Sequence, residues 1–181
     1  MKVVTITGYK PHEIGIFQQT HPAVTIIKKA IKQSLLPLCE EGLEWIVLSC
    51  QKGVEMWASQ VAIELKQEYE VKLAILTPFL DQELKWKEND QLLYNEIIQN
   101  ADFVDSVSKK PYENPEQFRI KDRLLIHKTD GCIILYDEEV DGSPKFFLNQ
   151  CKEFSLQQDY DIRLITFEDL QLIQEEAQCT D

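Results

Sequence analysis

Short apolar runs rich in β-branched residues recur along the chain, each followed by a longer stretch in which apolar positions return every three or four residues. The runs cover residues 3–7, 45–50, 71–77, a weaker 103–107, 132–136 and 162–167. Their apolarity is continuous rather than alternating, which predicts strands covered on both faces, as in a parallel sheet. The stretches between them read as helices. Pro22 opens the first, Val24, Ile27, Ile31 and Leu35 mark its buried stripe, and Gly42 follows its end. Ala58, Val61, Ala62 and Leu65 form a second stripe after Gly53. Residues 81–100 carry Leu84, Leu93 and Ile97, with a break expected near Asn89-Asp90. Asn114-Pro115 and Ser143-Pro144 each read as an N-cap followed by proline at the first helical position. Residues 166–169 read as the cap of a last helix bearing Leu170 and Ile173.

Strand and helix alternate throughout, which implies right-handed crossovers and one three-layer, doubly wound α/β domain over residues 1–181 with a mainly parallel sheet. No linker, repeat or low-complexity segment divides it. The acidic end, residues 175–181, is expected to be a tail.

The 19 Lys and Arg against 31 Asp and Glu give a formal charge of −12. A polyanion or an anionic membrane surface meets a repulsive average field, and no basic run overrides it, so nucleic acid is not the expected partner. The five cysteines, Cys39, Cys50, Cys132, Cys151 and Cys179, are odd in number and widely spaced, with no Cys-x-x-Cys pair. They form neither a disulfide framework nor a zinc signature, and no metal site is expected. No apolar run reaches membrane-span length, and the N-terminal run is too short for a signal peptide. A reduced, soluble, cytoplasmic chain is the expectation.

In an open parallel sheet, ligands bind beyond the carboxyl ends of the strands. That rule points to the loops at residues 8–13, 49–55, 77–79 and 137–145. Gly8 allows a sharp turn and close backbone approach, while Lys10 suits a phosphate and His12 a hydrogen bond to one. Neither a Gly-x-Gly-x-x-Gly fingerprint nor a Walker loop is present. Gly53 precedes a helix start, where N–H groups and the positive dipole end converge. Glu55 in the first turn either offsets that dipole or accepts ribose hydroxyls, and Trp57 either stacks on a base or belongs to the core. Gly142 and Ser143 form a candidate phosphate nest with Lys145 nearby, or else the plain cap of a helix after the acidic run 137–141. EF-hand spacing, Gly-x-Ser-x-Gly and His-Glu-x-x-His are absent. Cys50 reads as a buried thiol.

Thr7-Gly8-Tyr9-Lys10, then residues 53–58 (Gly-Val-Glu-Met-Trp-Ala), then residues 77–82 (Thr-Pro-Phe-Leu-Asp-Gln) with Lys85-Trp86 come first. Tyr136-Asp137-Glu138-Glu139 with residues 142–145 (Gly-Ser-Pro-Lys) complete the order. This ordered set resembles the YpsA family of small Gram-positive bacterial proteins over nearly the whole chain. The family belongs to the SLOG superfamily, with the Lonely Guy cytokinin-activating hydrolases and DNA-processing protein A. The resemblance implies a Rossmann-like sheet and a nucleotide-type ligand, NAD or an ADP-ribose derivative. By analogy Gly8, Gly53 and Glu55 line the pocket, and Gly142, Ser143 and Lys145 its phosphate side; Tyr9 and Trp57 join Lys10 and His12 as further ligand-binding candidates. The family is also linked to cell division and stress. The strand-end loops and the absence of a convincing nucleophile or acid–base pair favour a nucleotide sensor that signals to a protein partner, and a homodimer is a common state for α/β proteins. Nucleotide N-glycosidic hydrolysis is the alternative, with Glu55 the one catalytic candidate. The hydrolases' Pro-Gly-Gly-x-Gly-Thr stretch is replaced here by Asp141-Gly142-Ser143. Single-stranded DNA binding is the third expectation, and the charge speaks against it.

Overall fold

In the computed structural model, which describes residues 1–180, each apolar run forms a strand. The strands are β1 (Val3–Gly8), β2 (Trp45–Leu48), β3 (Lys72–Thr77), β4 (Phe103–Ser106), β5 (Gly131–Leu135) and β6 (Asp161–Ile165). They make one six-stranded sheet in the order β4-β3-β2-β1-β5-β6. Every pairing is parallel. Burial follows position in that order. Strand β5 is buried throughout, β2 in all but Trp45 and β1 in its middle from Val4 to Ile6, whereas Phe103 and Val104 on edge strand β4 are exposed. The weaker apolarity of residues 103–107 has that edge as its cause.

The helices are α1 (Pro22–Glu40), α2 (Val54–Leu65), α3 (Glu88–Asn100), α4 (Glu116–Lys128), α5 (Pro144–Ser155) and α6 (Phe167–Cys179). Helices α3, α2, α1 and α6 pack side by side, while α4 packs with α5 and against β1. Right-handed crossovers place those two groups on opposite faces of the sheet, giving the three layers. His21 caps α1, its Nδ1 accepting from the Ala23 N–H at 3.1 Å, and Thr166 and Asp169 cap α6 reciprocally.

Three boundaries differ from expectation. Helix α3 starts at Glu88 rather than near Asp81, so Asn89-Asp90 sits in its first turn instead of breaking it. Strand β2 stops at Leu48 because Cys50 turns at φ 56, in the left-handed region. The acidic end is no tail up to Cys179: residues 175–179 continue α6, and Asp181 lies outside the described residues.

The order reverses at β1, whose neighbours are β2 on one side and β5 on the other. Thr7 and Gly8 pair with Ile134 and Leu135, so both strands end at the same level. A crevice must open there, since the chains leaving β1 and β5 diverge to opposite faces.

Candidate functional site

Two adjoining cavities lie at this end of the sheet, the larger in that crevice and the smaller beyond the ends of β1, β2 and β3. The larger, about 520 Å³, lies between the end of β1 (Thr7, Gly8), the first turns of α4 and the start of α5. The smaller, about 380 Å³, is lined by aromatic rings, among them Phe79, Trp86 and Phe118. Lys10, Gln51 and Phe118 line both and form the divide. The Lys10 ammonium lies 5.8 Å from the Phe118 ring centre, and that of Lys52 lies 5.8 Å from the Trp86 ring. Cation–π contact holds both charges on the cavity walls.

Glu55 sits on the floor of the larger cavity, only 5% exposed. Its carboxylate accepts from Thr7 Oγ1 at 2.8 Å, from the Gln51 N–H at 3.0 Å and from Ser49 Oγ. The ends of β1 and β2 thereby fix it in one orientation. Three donors leave acceptor capacity on a carboxylate, so the dipole-offset and ligand-acceptor readings both stay open.

The glycines prove to be packing devices. Gly53 has φ 93, and a Cβ there would lie 2.6 Å from the Tyr9 carbonyl oxygen. A Cβ on Gly8 would lie 2.7 Å from Val54, and one on Gly142 would lie 2.6 Å from the Tyr9 ring. The β1 loop is thus pressed directly onto the start of α2 and the β5 loop.

Tyr9, expected at the ligand, is fully buried instead. Its hydroxyl donates to the Val140 carbonyl at 2.5 Å and accepts from the Asp137 N–H at 3.0 Å. Its ring packs on Tyr136 and Phe167. It is a clasp between two loops, the reason being an apolar ring long enough to reach across from β1. Tyr9→Phe should therefore leave the part-buried Val140 carbonyl and Asp137 N–H without this partner and lower stability by about 1–3 kcal/mol, read from urea unfolding.

The nest expected at Gly142 and Ser143 is filled from within. Glu13 Oε1 accepts from the Ser143 N–H at 2.7 Å and Oε2 from Ser143 Oγ at 3.0 Å. Oε2 also takes the Lys10 N–H at 2.7 Å. Lys145 does not line either cavity, and its ammonium lies 3.9 Å from Asp141. His12 is exposed at the rim of the smaller cavity. Trp57 lines that cavity too, but it is buried and its Nε1 donates to Gln19 at 2.7 Å. The core reading of this residue holds, and its place in the cavity lining leaves the base-stacking reading open. Cys50 is a buried thiol, and burial pushes it up to about 12, which removes it as a nucleophile at neutral pH.

Sequence reasoning missed the wall supplied by α4: Phe118, Arg119, Lys121, Asp122 and Arg123. Lys121 is paired with Asp122 at 2.5 Å, and burial raises the Asp122 carboxyl above the usual carboxylate range against the opposing pull of Lys121. A signal existed in the 3–4 spacing of Phe118, Lys121 and Asp122 behind the Asn114-Pro115 start, since that spacing shares one helix face. Together with Lys10, Lys52 and Lys87 these residues make a cationic crevice in an acidic protein. Among the described residues no cluster of His, Cys, Asp and Glu could hold a metal ion, and no helix is long and apolar enough to cross a membrane.

Comparison with solved structures gives DNA processing protein A from Helicobacter pylori, at a TM-score of 0.52 and 19% identity. That match covers 98% of this chain and 80% of the other, whose single-stranded DNA binding mode is described. The likeness shows the shared Rossmann-like fold. A UPF0398 protein from Halalkalibacterium halodurans is 50% identical over 182 residues, covering 100% of this chain and 96% of its own length. UPF0398 proteins from Bacillus cereus strain B4264 and Bacillus licheniformis are 48% and 46% identical, each covering 98% of this chain and 97% of the relative. The profile of the YpsA family, described as the YspA SLOG family, matches residues 4–170, and the chain belongs to that family.

Proposed function

We propose that this protein binds a nucleotide-type ligand, NAD or an ADP-ribose derivative, across the two cavities and acts as its sensor. The observation that carries this reading is the divide itself. A cation on an aromatic face, Lys10 over Phe118, stands between a cavity walled by Phe79 and Trp86 and one that holds Glu55 and the α4 cations, at the strand-order reversal. A planar base suits the ring-lined side. Ribose hydroxyls and phosphates suit the side holding Glu55 and the α4 cations.

Thermal-shift and calorimetric titration with NAD, ADP-ribose, AMP and ATP tests it. Phe118→Ala removes a stacking face and is expected to weaken the bound nucleotide by about 1–3 kcal/mol. Equal affinity in wild type and variant would remove the base from this cavity.

One observation favours single-stranded DNA as a second reading. Phe17 and Phe146, 73% and 71% exposed, line the smaller and the larger cavity respectively, beside the same cations. Exposed rings next to positive charge are the usual platform for unpaired bases. Fluorescence anisotropy of a labelled oligonucleotide at low and moderate salt decides it, with binding abolished in Phe17→Ala/Phe146→Ala as the supporting result.

A further inference from the structure

The crevice contains two places where an anion meets concentrated positive charge, and an internal carboxylate occupies each. At the N-terminus of α5 the occupant is Glu13, with both oxygens engaged by three donors from Ser143 and Lys10. On α4 it is Asp122, which faces the Lys121 ammonium. We propose that the α4 wall is the phosphate subsite, where Lys121 takes a ligand phosphate in exchange for Asp122, and that the start of α5 is not. This rests on the nucleotide reading above and names the subsite within it.

The two occupants are held very differently. Glu13 belongs to the 3-10 turn Pro11–Glu13, whose preceding residues are clamped onto Gly53 and Gly142. The Tyr9 ring closes the ground beside Gly142, so an incoming phosphate would have to unseat the whole loop. Asp122 has no such support. Its one hydrogen-bond partner among the described residues is its chain neighbour Lys121, and Glu55 adds a second negative charge that disfavours its charged form. Lys121, with a side chain only 6% exposed, lines the cavity together with Asp122. A buried ammonium with a single, poorly supported counterion gains most from a ligand that brings more charge and more acceptor oxygens. Arg119 and Arg123 extend this charge to the rim, both paired with Glu116, at 3.1 and 2.9 Å. Lys10 completes it from the divide, and its charge also reaches Asp122.

The test titrates pyrophosphate, ADP-ribose and adenosine into the wild-type chain, Lys121→Met, Asp122→Asn and Glu13→Gln, each first checked for cooperative melting. Lys121→Met is expected to weaken pyrophosphate and ADP-ribose by about 10- to 100-fold, the worth of a charge-assisted hydrogen bond, and to leave adenosine unchanged. Asp122→Asn removes the competing charge and is expected to tighten both phosphate probes, which keeps the proposal testable should Lys121→Met fail to fold. Glu13→Gln is expected to tighten neither. Unchanged ADP-ribose affinity in Lys121→Met, or tightening confined to Glu13→Gln, overturns the subsite while the nucleotide reading stands. Pyrophosphate binding that depends on Lys121, with no nucleotide bound, upholds the subsite and ends the nucleotide reading. No binding of either phosphate probe to wild type overturns both.

Discussion

Gly53→Ala should destabilise the protein by about 2–5 kcal/mol, more than any other single methyl group added at the crevice. Two costs coincide at this position. The φ of 93 lies where only glycine is at ease, and the added carbon would stand 2.6 Å from the Tyr9 carbonyl oxygen and 2.9 Å from Pro11 Cδ. That carbonyl accepts the Val54 N–H at 3.2 Å, so the clash falls on the bond that ties the β1 loop to the start of α2. Relief requires the loop to lift, which carries Lys10 off the divide and Glu13 off α5. The control is Gly15→Ala, with φ 66 but nothing within 4 Å of the new carbon, for which backbone strain alone gives about 1–2 kcal/mol. Urea midpoints for the pair check the argument. Equal losses would show that the close approach at Gly53 carries no weight.

Glu55 gives the second large effect, and its two substitutions should differ. Alanine strands three donors, from Thr7, Ser49 and Gln51, in a buried place, at a cost of about 2–5 kcal/mol. Glutamine keeps one oxygen for Ser49 and the Gln51 N–H, while the Thr7 hydroxyl can turn round to accept from the new amide. The expected loss for Glu55→Gln is therefore only about 1 kcal/mol. Its ligand affinity should nonetheless fall about tenfold, since a carboxylate accepting a ribose hydroxyl is replaced by a weaker neutral acceptor. Denaturant unfolding and calorimetry on the same three proteins separate the effects. A Glu55→Gln protein with wild-type ligand affinity would leave the residue a purely structural tie between β1 and β2. Base release from a nucleoside monophosphate by wild type, lost in Glu55→Gln, would instead support the hydrolytic alternative.

The sheet was legible because burial on both faces writes a continuous apolar run, and β1, β2, β3 and β5 each carry at least three consecutive buried residues. Strand ends were less so. Nothing in Trp45–Leu48 announces that Cys50 turns left-handed two residues later. The strand-end loops were also legible, since Gly8, Gly53 and Glu55 follow apolar runs directly. Their roles were not, because a glycine that admits a neighbouring backbone and one that admits a phosphate look alike in sequence. Glu13 shows this most clearly. It lies 130 residues from Ser143, and its occupation of the α5 start is a tertiary event with no local signature. The basic crevice was hidden for the same reason. Lys10, Lys52, Lys87, Lys121 and Arg119 come from four separate loops and helices, so a net charge of −12 conceals a local excess of the opposite sign.

Calorimetric titration of ADP-ribose into the wild-type chain and into Phe118→Ala puts the two-cavity site to the most direct test. The structure predicts saturable binding to wild type, with one ligand per chain, and a clear weakening in the variant. No heat from ADP-ribose, NAD, AMP or ATP with a cooperatively folded wild-type protein would contradict it.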